Sequence, residues 1–245
     1  MTSDAPFETM VVADGAALVT TVAQRLLERL ATVQAEDRVP HIALTGGTIA
    51  EVLHRRIAEL SPGSGIDWSR VVVWWGDERF VASDSPDRNA RLARREFLDV
   101  VGADPANIHE MASTADVADL AAGAAAYDTE VREHGSGELD VLMLGLGPDG
   151  HVASLFPGHR ALDVDDRAAT WVDDSPKPPP ARITLTLGAL NRSRSVWFLV
   201  SGEGKADAVA AARAEAGSVL ATPARGVTGR EETVWFLDEA AAVHL

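Results

Sequence analysis

The sequence predicts an α/β protein built on a mostly parallel sheet that lies between layers of helices. Three observations carry that expectation. Short apolar runs of strand character alternate along the chain with longer segments of helical period. The run Asp140-Val141-Leu142-Met143-Leu144 is almost wholly apolar, as a central strand covered on both faces requires. Glycines and ionisable groups collect directly after the strands, at the carboxyl ends where open sheets of this kind bind ligands.

The elements follow in order. Residues Ala16 to Leu30 place Val19, Val22, Ala23, Leu26, Leu27 and Leu30 on one helical face and Gln24, Arg25, Glu28 and Arg29 on the other. His41-Ile42-Ala43-Leu44-Thr45 reads as a short buried strand ending at Gly46-Gly47-Thr48. A second helix then aligns Ile49, Val52, Leu53, Ile57 and Leu60. Val71 to Trp75 is the next strand, stopped by Gly76-Asp77. Asn89 to Leu98 and the alanine-rich Ala115 to Arg132 read as helices. After the central strand at 140–144, Arg182 to Leu187 alternates polar and apolar residues, and Ser195 to Val200 and Thr233 to Leu237 close the series of strands. No linker-like segment interrupts the 245 residues and no internal repeat is present, so residues 1–245 are expected to form one domain.

Composition narrows the function. With 37 acidic against 22 basic residues the chain carries a formal charge of −15, which disfavours binding to nucleic acid or to an anionic membrane. There is no cysteine, so disulfides and thiolate metal sites are ruled out. Met1 to Met10 contain Asp4 and Glu8 without an apolar core, unlike a secretory signal, and no apolar stretch is long enough to span a bilayer. A cytoplasmic location is expected.

Five segments carry candidate chemistry. In Leu44-Thr45-Gly46-Gly47-Thr48, a strand feeds a Gly-Gly turn into a helix. That arrangement presents amides at the positive end of the helix dipole and suits a phosphate. The same residues also suit an ordinary tight turn with Thr48 as N-cap. Trp75-Gly76-Asp77-Glu78-Arg79 sets three charges after a buried strand. Arg79 is suited to bidentate phosphate contact, with Asp77 and Glu78 orienting it or bonding substrate hydroxyls; a self-paired solvated loop is the alternative. In Gly145-Leu146-Gly147-Pro148-Asp149-Gly150-His151, glycines allow close backbone approach, and His151 beside Asp149 is a candidate general base. Ser175-Pro176-Lys177-Pro178-Pro179-Pro180-Ala181-Arg182 offers Lys177 and Arg182 on a stiffened loop, and Ser201-Gly202-Glu203-Gly204-Lys205 brings Lys205 to the same rim.

Other chemistries are not supported. Gly204-Lys205-Ala206 lacks the spacing of a P-loop, and Ser154 is not in a G-x-S-x-G elbow. His151, His159 and Asp149 match no zinc-ligand pattern, and no dinucleotide fingerprint opens a helix. Neither a metal nor a cofactor is expected.

Taken in order, these segments resemble the 6-phosphogluconolactonase family along nearly the whole chain. Gly145 to His151 with Ala153-Ser154-Leu155-Phe156-Pro157-Gly158 looks like the family's signature loop. Trp75 to Arg79, Ser175 to Pro179 with Arg182-Ile183-Thr184, Gly204-Lys205 and Pro223-Ala224 fall in the family's order. The resemblance implies a single three-layer α/β/α domain with a Rossmann-like sheet, shared with glucosamine-6-phosphate deaminase and ribose-5-phosphate isomerase. It also implies metal-independent hydrolysis of a small sugar-phosphate lactone in the oxidative pentose phosphate pathway; a monomer or weak homodimer is expected. Two departures stand out. Thr45-Gly46-Gly47-Thr48-Ile49-Ala50 replaces the family's usual S-G-G-S-T-P, and Val81-Ala82 replaces Val-Pro after Arg79.

On this reading Gly46, Gly47, Thr48 and Arg79 take the phosphate, with Arg182, Lys177 or Lys205 assisting. His151 acts as base and Asp149 orients it. Two competing functions remain open at this level. A deaminase on the same fold also uses a D-G-H loop, but continues it toward I-A-F-N-E rather than Val152-Ala153-Ser154-Leu155-Phe156. A sugar-phosphate sensor would need a DNA-reading segment, and this acidic chain has no spare basic one.

Overall fold

The computed structural model describes residues 7–245. Six strands form one sheet in the order β1-β9-β8-β5-β2-β3, every neighbouring pair parallel. They are β1 (Phe7–Val12), β2 (His41–Leu44), β3 (Val72–Trp75), β5 (Val141–Leu144), β8 (Ser195–Val200) and β9 (Glu232–Asp238). A second, antiparallel sheet has the order β4-β7-β6, from β4 (Asp77–Arg79), β6 (Ala169–Val172) and β7 (Arg182–Leu185). Residues of both sheets meet in one buried apolar cluster.

Side-chain alternation on β9 sorts the helices into layers. Phe236 and Trp235 are consecutive and therefore point to opposite faces. Arg25 of α1 (Gly15–Ala35) lies 5.6 Å from the Phe236 ring, whereas Arg213 of α7 (Ala206–Arg213) lies 5.9 Å from Trp235. The two helices thus cover opposite faces. α2 (Thr48–Leu60) packs beside α1. α3 (Asn89–Ala93) runs into a π-helical turn, Arg94–Leu98, that packs on α2 and continues as α4 (Asp99–Val101). α5 (Leu120–His134) packs on β6 and β7, and its Tyr127 hydroxyl donates to the Trp75 carbonyl and accepts from the Trp75 amide. α6 (Leu187–Leu190) follows β7.

Capping moves several boundaries from where the periodicity places them. The helix expected from Ala115 starts at Leu120, because the Asp119 side chain accepts from the Ala122 amide at 2.8 Å and ends the preceding turn. The expected strand 182–187 stops at Leu185, since Thr186 caps α6 by accepting from the Ala189 amide. Asp14 caps α1, which runs to Ala35 rather than Leu30. Thr48 is not an N-cap: Gly47 occupies that position at φ 90°, a left-handed conformation that suits glycine, and Thr48 is the first helical residue. The triplet Asp77-Glu78-Arg79 is a strand, paired in register with Thr184, Ile183 and Arg182, and not a solvated loop.

The order of strands creates the site. From β2 the chain passes to β3 on one side, and from β5 to β8 and β9 on the other, so β2 and β5 flank a reversal in strand order. The loops at their carboxyl ends, Thr45-Gly46-Gly47 and Gly145 to His151, open a crevice at that switch point.

Candidate active site

A cleft of about 230 Å³ occupies this crevice. All but two of the candidate residues line it: Gly46, Gly47, Asp77, Arg79, His151, Lys177, Arg182 and Lys205. Thr48 lines an adjoining hollow that shares Gly46, Gly47 and Lys205 with it, and Asp149 reaches the cleft through His151. A further hollow lined by His41, Trp74 and Tyr127 lies toward the amino ends of β2 and β5 and brings no such set of cations together.

The two loops are tied together by Thr45, whose hydroxyl accepts from the Gly145 amide at 3.2 Å. Within the second loop, Gly147 donates to the His151 carbonyl and Gly150 to the Gly147 carbonyl. This compact turn carries Asp149 and His151. Their side chains meet at 2.5 Å between Oδ1 and Nδ1, with the Phe156 ring tilted against the imidazole at a centroid distance of 4.5 Å. A Cβ on Gly147 would fall 2.0 Å from His151 Nδ1, so the dyad occupies space that any larger residue would need. Ala153, just beyond, sits at φ 48°, a conformation unusual for a residue with a Cβ.

Burial sets the protonation of the dyad. It pushes the His151 imidazole below its ordinary value, with Asp149 opposing and Lys177 assisting. Burial works to raise the Asp149 carboxyl, but the charge and hydrogen bond of His151 outweigh it and hold it below the usual range. A carboxylate on Nδ1 fixes the tautomer with its proton there, leaving Nε2 as the free lone pair. Nε2 has no protein partner among the described residues.

Each cation is held differently. Arg79 donates through Nη1 to the Asn89 Oδ1 at 2.5 Å and to the Asp87 carbonyl at 2.8 Å. Its Nε is buried without a partner among the described residues. Arg182 is buried, and its Nε and Nη2 donate to the carbonyls of Pro179, Lys177 and Pro178. It therefore shapes the proline loop, where the Pro178–Pro179 bond is cis, as much as it faces the cleft. Lys205 Nζ donates to the Leu146 carbonyl at 2.6 Å, and burial, aided by Lys177, lowers its pKa.

The carboxylates of the triplet diverge. Asp77 accepts from the Ser154 hydroxyl at 2.6 Å, while buried Glu78 accepts from the amides of Arg79, Asn89 and Ala90. Neither pairs with the Arg79 guanidinium. In the sequence Ser154 reads as part of the signature loop and not as a nucleophile, and Asn89 as the start of a helix. Their roles depend on contacts 77 and 10 residues apart along the chain. Among the described residues, the group that could gather a cation is His159, Asp173 and Asp174. None of the three lines the cleft.

The family model of glucosamine-6-phosphate isomerases/6-phosphogluconolactonase matches residues 13–235. The chain belongs to this family. The 6-phosphogluconolactonase of Streptomyces coelicolor is 42% identical over 252 residues, covering 99% of this chain and 96% of its own. That of Mycobacterium tuberculosis is 44% identical over 239 residues, covering 95% and 96%. Among solved structures, the 6-phosphogluconolactonase of Thermotoga maritima superposes with a TM-score of 0.83 at 27% identity, over 95% of this chain and all of its own. A monomeric glucosamine-6-phosphate deaminase superposes at 0.81 with 19% identity, so it shares the fold. The α/β/α architecture expected from the sequence is the architecture found. No helix among the described residues is long and apolar enough to cross a membrane.

Proposed function

We propose that this enzyme hydrolyses 6-phospho-D-glucono-1,5-lactone to 6-phospho-D-gluconate, with His151 as general base. The observation that carries the reading is the His151–Asp149 pair standing on the wall of a cleft that also gathers Arg79, Lys177, Arg182 and Lys205 beside a Gly-Gly helix start. The phosphate docks at Gly46, Gly47 and Thr48 against Arg79, which lines the cleft and has no carboxylate partner among the described residues. Lys177 and Lys205 add charge, and Asp77, held by Ser154, accepts from a sugar hydroxyl. Neutral His151 takes a proton from water through Nε2 as the water oxygen bonds to C1. Asp149 stabilises the resulting imidazolium. The C1–ring oxygen bond then breaks, and His151 returns the proton to the departing oxygen.

The amides of Gly145, Gly147 and Gly150 already donate within the protein. Of the loop's glycine-flanked amides, Leu146 is the one without an acceptor among the described residues, and we assign it to the developing oxyanion. The chain works in the cytoplasm as a monomer or weak homodimer on this reading.

The test generates the lactone in situ with glucose-6-phosphate dehydrogenase and follows its decay in EDTA. Decay well above the spontaneous rate is expected; decay equal to the blank, with folded protein and confirmed substrate, would put deamination of glucosamine 6-phosphate first. Two variants probe the parts. Arg79→Ala is expected to weaken 6-phosphogluconate binding by about 10–100-fold, the loss of a charge-assisted contact. Unchanged product affinity by calorimetry would remove Arg79 from the phosphate site. Gly147→Ala is expected to lower kcat by roughly 10²-fold, because the new methyl displaces both members of the dyad. Retention of full kcat would show that the imidazole does not need its present position.

A further inference from the structure

We infer that Asn89 is the positioning residue of the phosphate site: its carboxamide holds the Arg79 guanidinium against the Gly46-Gly47 turn while leaving the arginine's charge uncancelled. This rests on the reading of Arg79 as the phosphate clamp. Asn89 is only 3% exposed and opens α3. Its backbone amide and both ends of its carboxamide are engaged with β4. Its amide donates to Glu78 Oε1 at 2.8 Å, its Nδ2 donates to the Asp77 carbonyl at 3.0 Å, and its Oδ1 accepts from Arg79 Nη1 at 2.5 Å. Glu78 reinforces the geometry by also accepting from the Ala90 amide, which pins the first turn of α3 to the strand that carries Arg79.

The other side of the carboxamide meets the phosphate turn. A Cβ on Gly46 would lie 1.9 Å from Asn89 Oδ1 and 2.7 Å from Nδ2, so the Gly46 backbone rests directly on this group. One side chain thereby fixes the separation between the two halves of the anion site, the turn amides and the guanidinium. The glycine at 46 is needed for that contact and not for its own dihedral angles, since Gly46 is absent from the positive-φ residues.

The choice of an amide is what the chemistry requires. Arg79 takes part in no salt bridge among the described residues, although two carboxylates precede it in sequence. A neutral acceptor orients the guanidinium and leaves its full charge to the ligand. A carboxylate in the same place would orient it equally well but would neutralise it, and would also face the Asp77 carbonyl without a proton to donate.

The test is a double-mutant cycle on 6-phosphogluconate affinity, by calorimetry, with wild type, Asn89→Asp, Arg79→Ala and the double variant. Asn89→Asp is nearly isosteric and is expected to weaken binding about 10–100-fold, with the kinetic loss falling on KM far more than on kcat. In the Arg79→Ala background the same change is expected to weaken binding by less than about threefold, because the group it acts through is gone. Asn89→Ala serves as the uncharged control: it frees Arg79 without neutralising it and is expected to lose less than Asn89→Asp. Equal losses from Asn89→Asp in both backgrounds, or none in the wild type, would overturn the inference while leaving Arg79 as clamp. No loss from Arg79→Ala itself would overturn the clamp, and the positioning role with it.

Discussion

His151→Ala is expected to lower kcat by ~10²–10⁴-fold, the range that a positioned general base supplies, while the dissociation constant of 6-phosphogluconate changes by less than about threefold. The split follows from where the residue sits. His151 belongs to the β5 loop, whereas the main proposed phosphate contacts come from the β2 loop, the first turn of α2 and β4. No second nucleophile stands ready to rescue the variant: Ser154, the hydroxyl of the same loop, is fully buried and donates to Asp77. A δ-lactone is already activated, so base-assisted attack of water suffices without a covalent intermediate.

The pH dependence gives a second handle on the same prediction. The reactive form is the neutral imidazole, so activity falls as pH drops through the His151 pKa. Burial places that pKa below the ordinary histidine value, and the acid limb of kcat/KM is accordingly expected below about 6.5. If His151→Ala lost product affinity and kept kcat, the base assignment would be wrong.

How far the sequence reaches can be judged from particular residues. The strands 41–44, 72–75, 141–144, 195–200 and 233–237 announce themselves because they are buried on both faces and read as unbroken apolar runs. β1 escaped notice because it lies at the sheet edge with Phe7 and Val11 half exposed, so Phe7-Glu8-Thr9 shows no such run. β4 was hidden for another reason. Its charged side chains are satisfied by partners that only the tertiary fold supplies, among them Ser154 and Asn89. β6 and α7 also lacked a strong periodic signal, four residues and an alanine-rich eight.

The same distinction applies to the site. Residue types that carry charge or a titratable ring stand out in a sequence, and His151, Asp149, Arg79 and the lysines do so. Residues that place them do not. Asn89 next to Ala90 is an unremarkable helix start until β4 folds against it, and the commitment of the Gly145 and Gly147 amides depends on Thr45 and on the turn's own closure. Local chemistry was therefore readable, and long-range orientation was not.

Acid lability of the fold is expected to trace to His54. This residue lies on α2, only 2% exposed, stacked on Phe97 at a centroid distance of 5.9 Å, and its Nδ1 is buried without a partner. Burial drives its pKa down to about 4, with Glu96 opposing only weakly. Below pH ~6.5 the unfolded chain binds a proton at this position that the folded chain refuses, so stability contributed here is intact above that pH and is lost as pH falls toward 4. At pH 5 the loss amounts to about 2 kcal/mol, from ~1.5 pH units at 1.36 kcal/mol each, and it approaches about 3 kcal/mol at pH 4. His54→Leu removes both the titration and the orphaned nitrogen while keeping an apolar contact to Phe97. Urea denaturation should find the variant gaining on wild type by about 2 kcal/mol between pH 7 and pH 5, whatever the offset at neutral pH. Other buried groups, such as Glu78, titrate alike in both proteins and cancel in the difference. A difference that stays constant across this range would mean that His54 is protonated in the folded state, and that α2 opens to water near the start of the phosphate turn.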